Sequence, residues 1–149
     1  MSLFLDTSAL VKLYHAELGS EMMAGLLMAH PFVLISRLAV LELRSALSRK
    51  VRTRELATDN AELAHRRFHG DVRMGRFRVV ALRGRHYQLA DSLITTYGAS
   101  SGLRTLDSLQ LALALDLARH GLIQTLVTAD RVLLGVAGFE DLKVLNPEA

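Results

Sequence analysis

The chain of 149 residues contains no cysteine. Disulfides, thiolate zinc sites and thiol catalysis are thereby excluded, and the absence accords with a reducing compartment. No apolar run approaches the roughly 18 residues that a membrane span needs. The N-terminus lacks the basic stretch of a secretory signal and carries Asp6 where such a signal is apolar, so a cytoplasmic location is expected. Internal repeats, linkers and low-complexity tracts are also missing. The length then points to a single domain over residues 1–149, large enough to bury a core. Half the residues are hydrophobic and 22% are charged, as in an ordinary compact protein.

Charge is spread unevenly. Residues 37–86 hold 12 Arg and one Lys against five acids, whereas the segments on either side carry more acids than bases. A basic middle beside acidic flanks fits a polyanion partner, and a solvated arginine-rich face is the plainer alternative.

Leu3-Phe4-Leu5 is a short apolar run without polar alternation, the pattern of a strand covered on both faces. Asp6 ends it, and helical spacing follows from Ala9 to Tyr14, with Thr7 and Ser8 as turn and cap formers. In open parallel sheets ligands bind at the carboxyl ends of the strands, so Asp6 is a site candidate as well as a candidate N-cap. Further along, Ser20 reads as the cap of a helix over Glu21 to Met28, whose Met22, Met23, Leu26, Leu27 and Met28 read as packing residues. Phe32 to Ile35 forms a second apolar strand, and Ser36 opens a helix from about Arg37 to Lys50.

A polar helical stretch runs from Thr53 to about Gly75. Its His65 and His69 are four apart on one helix face, but Arg66 stands where the zinc-protease pattern requires Glu, so a solvated face is the preferred reading. Phe77 to Ala81 is a third strand, Arg85 to Tyr97 a helix, and Gly98 to Gly102 a loop. The run from Leu103 to Leu115 is apolar enough to be a buried helix with Asp107 at its mouth. Asp107 with Gln110 has the spacing of a capping box. Thr125 to Thr128 is a fourth strand, Asp130 begins another helix, and Leu142 to Leu145 is a final strand. Alternating strands and helices predict a three-layer α/β/α fold around a mainly parallel sheet.

Four acids stand out from this pattern. Asp6 and Asp130 follow apolar strands, Asp107 heads a buried helix, and Glu42 lies inside Leu38-Ala39-Val40-Leu41-Glu42-Leu43, where an ionised carboxylate needs a partner. That partner is an arginine in a tertiary ion pair, a hydrogen-bond network or a cation. Carboxylates gathered at one sheet edge repel each other and call for a compensating ion, and all-oxygen ligands select Mg2+ or Mn2+. A divalent ion held by acids beside a basic surface is an arrangement for phosphodiester hydrolysis.

Across nearly its whole length, through Leu5-Asp6-Thr7-Ser8-Ala9-Leu10, Leu41-Glu42-Leu43, Thr105-Leu106-Asp107-Ser108-Leu109-Gln110 and Val127-Thr128-Ala129-Asp130, the chain resembles the PIN-domain ribonucleases, and among them the VapC-type toxins of toxin–antitoxin pairs. The resemblance implies an endoribonuclease dependent on Mg2+ or Mn2+, with Asp6, Glu42 and Asp107 as core acids and Asp130 as a more variable fourth. Ser8 and Thr128 match positions that orient those acids. It further implies an RNA substrate, a small VapB-like antitoxin and a homodimer. Gln110 departs from the His of many relatives. Two alternatives remain beside it. One is a receiver-like Mg-binding signalling domain, for which the first strand offers only one acid. The other is a PIN-like module that binds RNA without cleaving it.

Overall fold

Leu3, Phe4 and Leu5 are all buried because β1 (Ser2–Leu5) is the middle strand of five in a computed structural model that describes residues 2–149. β1 pairs in parallel with β2 (Phe32–Ser36) on one side and β4 (Thr125–Val127) on the other. Outside these lie β3 (Arg78–Val80) and β5 (Val144–Leu145), giving the all-parallel order β3-β2-β1-β4-β5. The chain moves outward from β1 through β2 to β3, then returns to the other side of β1 for β4 and β5. The carboxyl ends of β1 and β4 therefore flank the topological switch point, where open α/β sheets bind ligands.

Successive strand residues face opposite sides, so an unbroken apolar strand feeds two cores. Phe4, Leu34 and Leu126 pack on the layer of α5 (Gly84–Ser101), α6 (Thr105–Arg119) and α7 (Arg131–Phe139). Leu3, Leu5, Val33, Ile35 and Val127 pack on the layer of α1 (Thr7–Leu10), α2 (Ser20–Ala29), α3 (Arg37–Arg52) and α4 (Thr58–Arg73). The result is the three-layer α/β/α architecture expected. No helix among the described residues is long and apolar enough to cross a membrane.

Several local expectations need correction. Asp6 caps α1, and Thr7 and Ser8 are its first helical residues rather than a turn before it. α1 tightens into a 3-10 turn over Val11–Leu13. Gly19, in the left-handed region at φ +89, takes the N-cap of α2, while the Ser20 hydroxyl binds the preceding turn instead. Of the methionines in that helix only Met23 is core; Met28 is 86% exposed. The polar stretch after Thr53 starts with a turn, and α4 begins only at Thr58.

Gly98 to Ser101 are helical, not a loop. The helix ends at Gly102, whose φ of +75 brings its N–H to the Gly98 carbonyl and the Leu103 N–H to that of Tyr97, a left-handed closure that glycine reaches without steric cost. Asp107 and Gln110 make no capping box: α6 starts at Thr105, so Asp107 sits within its first turn and Gln110 turns toward other elements.

Lys12 is buried and anchors the chain end, with its Nζ 2.6 Å from Glu148 and 3.1 Å from Glu17; Lys50 adds a second contact to Glu17. At the end of β2 Ser36 is fully buried, and its Oγ accepts the Ala39 N–H at 3.0 Å to open α3, the helix that carries Glu42. Removing that cap leaves a buried N–H unpaired. Ser36→Ala is expected to lower stability by about 0.5–2 kcal/mol, read as an earlier midpoint in urea with an unchanged m-value.

Candidate metal centre

The site is built from the switch point outward. Asp6, 4% exposed, leaves β1 in extended conformation and caps α1, its Oδ1 accepting the Ala9 N–H at 3.0 Å and the Ser8 hydroxyl at 2.7 Å. Its Oδ2 accepts the Thr128 hydroxyl at 2.6 Å across the gap to the end of β4. The same two hydroxyls organise the next turn, since Ser8 Oγ accepts the Ala129 N–H and Thr128 Oγ1 accepts the Asp130 N–H. Asp130 then caps α7 by accepting the Leu133 N–H through Oδ1. Ser8 and Thr128 thus each hydrogen-bond Asp6 and the turn that leads into Asp130.

Glu42 approaches from α3. Its surroundings are less apolar than the sequence pattern indicates, because Leu41 is 69% exposed and Glu42 itself only half-buried. Of the partners open to it, a hydrogen-bond network is the one formed. Oε1 accepts the Thr7 hydroxyl at 2.9 Å and the Gln110 Nε2–H at 2.9 Å, linking α3 to α1 and α6. Gln110 Oε1, by contrast, is buried without a hydrogen-bond partner. Thr7 and Gln110 are the residues sequence reasoning missed as supports. In the sequence Gln110 stands out as a departure from His and as the second member of a capping-box spacing, and Thr7 as a turn and cap former.

Asp107 completes the group from the first turn of α6. Among the described residues its carboxylate accepts no hydrogen bond, and none of the four acids forms an ion pair. Burial, followed by the charges of Asp130 and Glu42, raises its pKa to about 6, against a smaller opposing pull from Arg104. Asp6 also rises to about 6, first through burial and in small part through Asp130, despite the bonds from Thr128, Ser8 and Ala9 that favour its charged form.

The four acids therefore share one electrostatic environment. They are not drawn into a coordination shell: among the described residues no three His, Asp or Glu side chains converge closely enough to hold an ion. The donor set still fits a hard divalent cation. It is made of carboxylate oxygens alone, and among the described residues Asp107 keeps its lone pairs free of hydrogen bonds.

All 12 arginines of residues 37–86 are exposed, on α3, α4, β3, the start of α5 and the connections between them. Arg44, Arg76 and Arg85 form ion pairs with Glu62, Asp71 and Asp116.

No curated protein matches the chain. Solved structures do. VapC20 of Mycobacterium tuberculosis, described as a sarcin-ricin loop cleaving toxin, superposes with a TM-score of 0.64 at 20% identity, over 89% of this chain and 93% of its own. FitAcB of Neisseria gonorrhoeae gives 0.66 at 20% identity over 97% of both chains, and a toxin-antitoxin complex from Klebsiella pneumoniae gives 0.64 at 19% over 99% and 98%. At such identities the likeness establishes the fold. The model of the PIN domain matches residues 3–138, which takes in all four acids and leaves no place for the receiver-like alternative; the chain belongs to the PIN domain family.

Proposed function

We propose that the protein is a metal-dependent endoribonuclease, a single nuclease domain over residues 1–149 acting as the toxin of a toxin–antitoxin pair. The observation that carries this reading is the pair of carboxyls, Asp6 and Asp107, raised to about 6 by burial and neighbouring acids with no ion pair to relieve them. Such a cluster costs the folded state stability and is retained where a cation is to be bound. Asp6, Glu42, Asp107 and Asp130 would hold Mg2+ or Mn2+ through their oxygens. Bound there, the ion supplies acidification of water and neutralisation of charge on the scissile phosphate.

The chain's own residues do the rest. Asp6 is fixed by three donors, so it serves as the rigid reference of the site. Thr7 and Gln110 tie down one oxygen of Glu42 and leave the other available. Asp107, whose carboxylate accepts no hydrogen bond among the described residues, has both oxygens open to the ion. Exposed arginines of α3 and α4 would bind the phosphate backbone of RNA. Solved relatives that are toxin–antitoxin complexes support a small antitoxin partner. The reading includes a homodimer and a cytoplasmic location, both taken from the family resemblance.

Three outcomes test it. Inducing the wild-type chain alone should arrest growth, and Asp6→Asn should abolish both the arrest and Mn2+-dependent RNA cleavage while the protein still folds, since Asn keeps the capping oxygen. Undiminished toxicity of that variant would refute the proposal.

The second outcome follows from linkage. A carboxyl whose folded pKa lies above its unfolded value destabilises the ionised folded state, so stability is lost as pH rises from about 4 through about 6. In EDTA, wild type should melt progressively below Asp107→Asn over that window. At pH 7 and above, Mn2+ should raise the melting temperature of wild type more than that of the variant, and the gain should fade below about pH 6 as protons compete for the ligands.

For the third, Arg66→Glu with Arg73→Glu, one face of α4, should weaken RNA binding and flatten its dependence on salt, because each lost phosphate contact removes a released counterion. Filter binding between 50 mM and 200 mM salt, the range over which such contacts are about most sensitive, gives the slope directly.

A further inference from the structure

The carboxylates do not account for every metal-ligating side chain. His65 and His69 stand one turn apart on α4, and their Nε2 atoms are 3.1 Å from each other. The ring centroids are 4.3 Å apart with the planes at 72°, an edge-on arrangement. Two nitrogens each about 2.0–2.1 Å from one zinc ion lie about 2.9 Å apart at a right angle and about 3.4 Å apart at the tetrahedral angle. The observed separation falls between these limits. As neutral imidazoles the pair can share one hydrogen bond, and that bond is all an ion would have to displace.

We propose that His65 and His69 form a site for one borderline transition ion of the zinc class, separate from the carboxylate group and chemically selected against Mg2+ by its nitrogen donors. Both rings are half-buried, which fixes their rotamers while leaving an approach from solvent.

Glu62 precedes His65 by three residues and lies on the same helical face. Its carboxylate is 3.0 Å from Arg44 in an ion pair whose members are each about half exposed, and exposed pairs of this kind contribute little. Glu62 can leave Arg44 and supply an oxygen as third ligand, with water completing the shell. Until it does so the site has two protein ligands, consistent with no three-residue cluster among the described residues.

The test uses tag-free, full-length protein in excess Mg2+, titrated first with Co2+ and then with Zn2+. One equivalent of Co2+ should bind with visible d–d absorption and be displaced by Zn2+. His65→Ala and His69→Ala should each weaken binding at least tenfold, with Glu62→Gln weakening it less and Asp107→Asn leaving it unchanged. Binding that survives both histidine substitutions, or that disappears in Asp107→Asn, overturns the proposal. Should a histidine variant fold poorly, imidazole nitrogen resonances of the wild type decide: His65 and His69 must shift together on addition of Zn2+, and if they stay put there is no site.

Discussion

A carboxylate removed almost wholly from water, Asp6, holds the sheet edge together. It sits where the chain leaves the central strand, and it is kept there by donors from its own helix and from the end of β4. Burial alone would favour its neutral form, and the three hydrogen bonds offset only part of that cost. The residual strain is electrostatic and shared with Asp130. It is also what makes the crevice between β1 and β4 chemically distinct from the rest of an otherwise apolar sheet.

The second constraint is the meeting of three elements far apart in sequence. Thr7, Glu42 and Gln110 bring α1, α3 and α6 together above the sheet, though they belong to different layers and α6 packs mainly on α5. One oxygen of Glu42 is thereby saturated. Gln110 does this with its amide N–H2, while its Oε1 has no hydrogen-bond partner among the described residues. A histidine at the same position would offer one donor and one acceptor at fixed geometry; the glutamine offers two donors to two oxygens. This is a physical reason why the departure from the common residue need not cost the site its order.

Metal-ligating side chains on the molecule fall into two chemical kinds. Carboxylate oxygens line the sheet edge, the donor type that hard ions favour, and two imidazoles face one another on α4, the donor type that borderline ions favour. Exposed arginines separate them from neither solvent nor each other. Such a surface attracts polyanions through its middle while the acidic edge repels them, so a phosphate backbone can be held close to the acids only where a cation stands between.

Much of the fold was legible in local pattern. Short strand-like runs alternating with stretches of helical periodicity sufficed to predict a parallel three-layer fold, since strand period and helix period are properties of neighbouring residues. Asp6 and Asp130 were legible for the same reason: an acid directly after a buried strand lies at the carboxyl edge whatever the strand order. Their association was not, because it depends on β4 lying beside β1 rather than beyond β3, a choice made by packing across the whole sheet. The extension of α5 through Gly98 to Ser101 was likewise settled by closure at Gly102 and by contact with α6 rather than by propensity. The Thr7–Glu42–Gln110 contact and the 3.1 Å approach of His65 to His69 were decided by tertiary structure and rotamer, for spacing places side chains on a face without saying whether they touch.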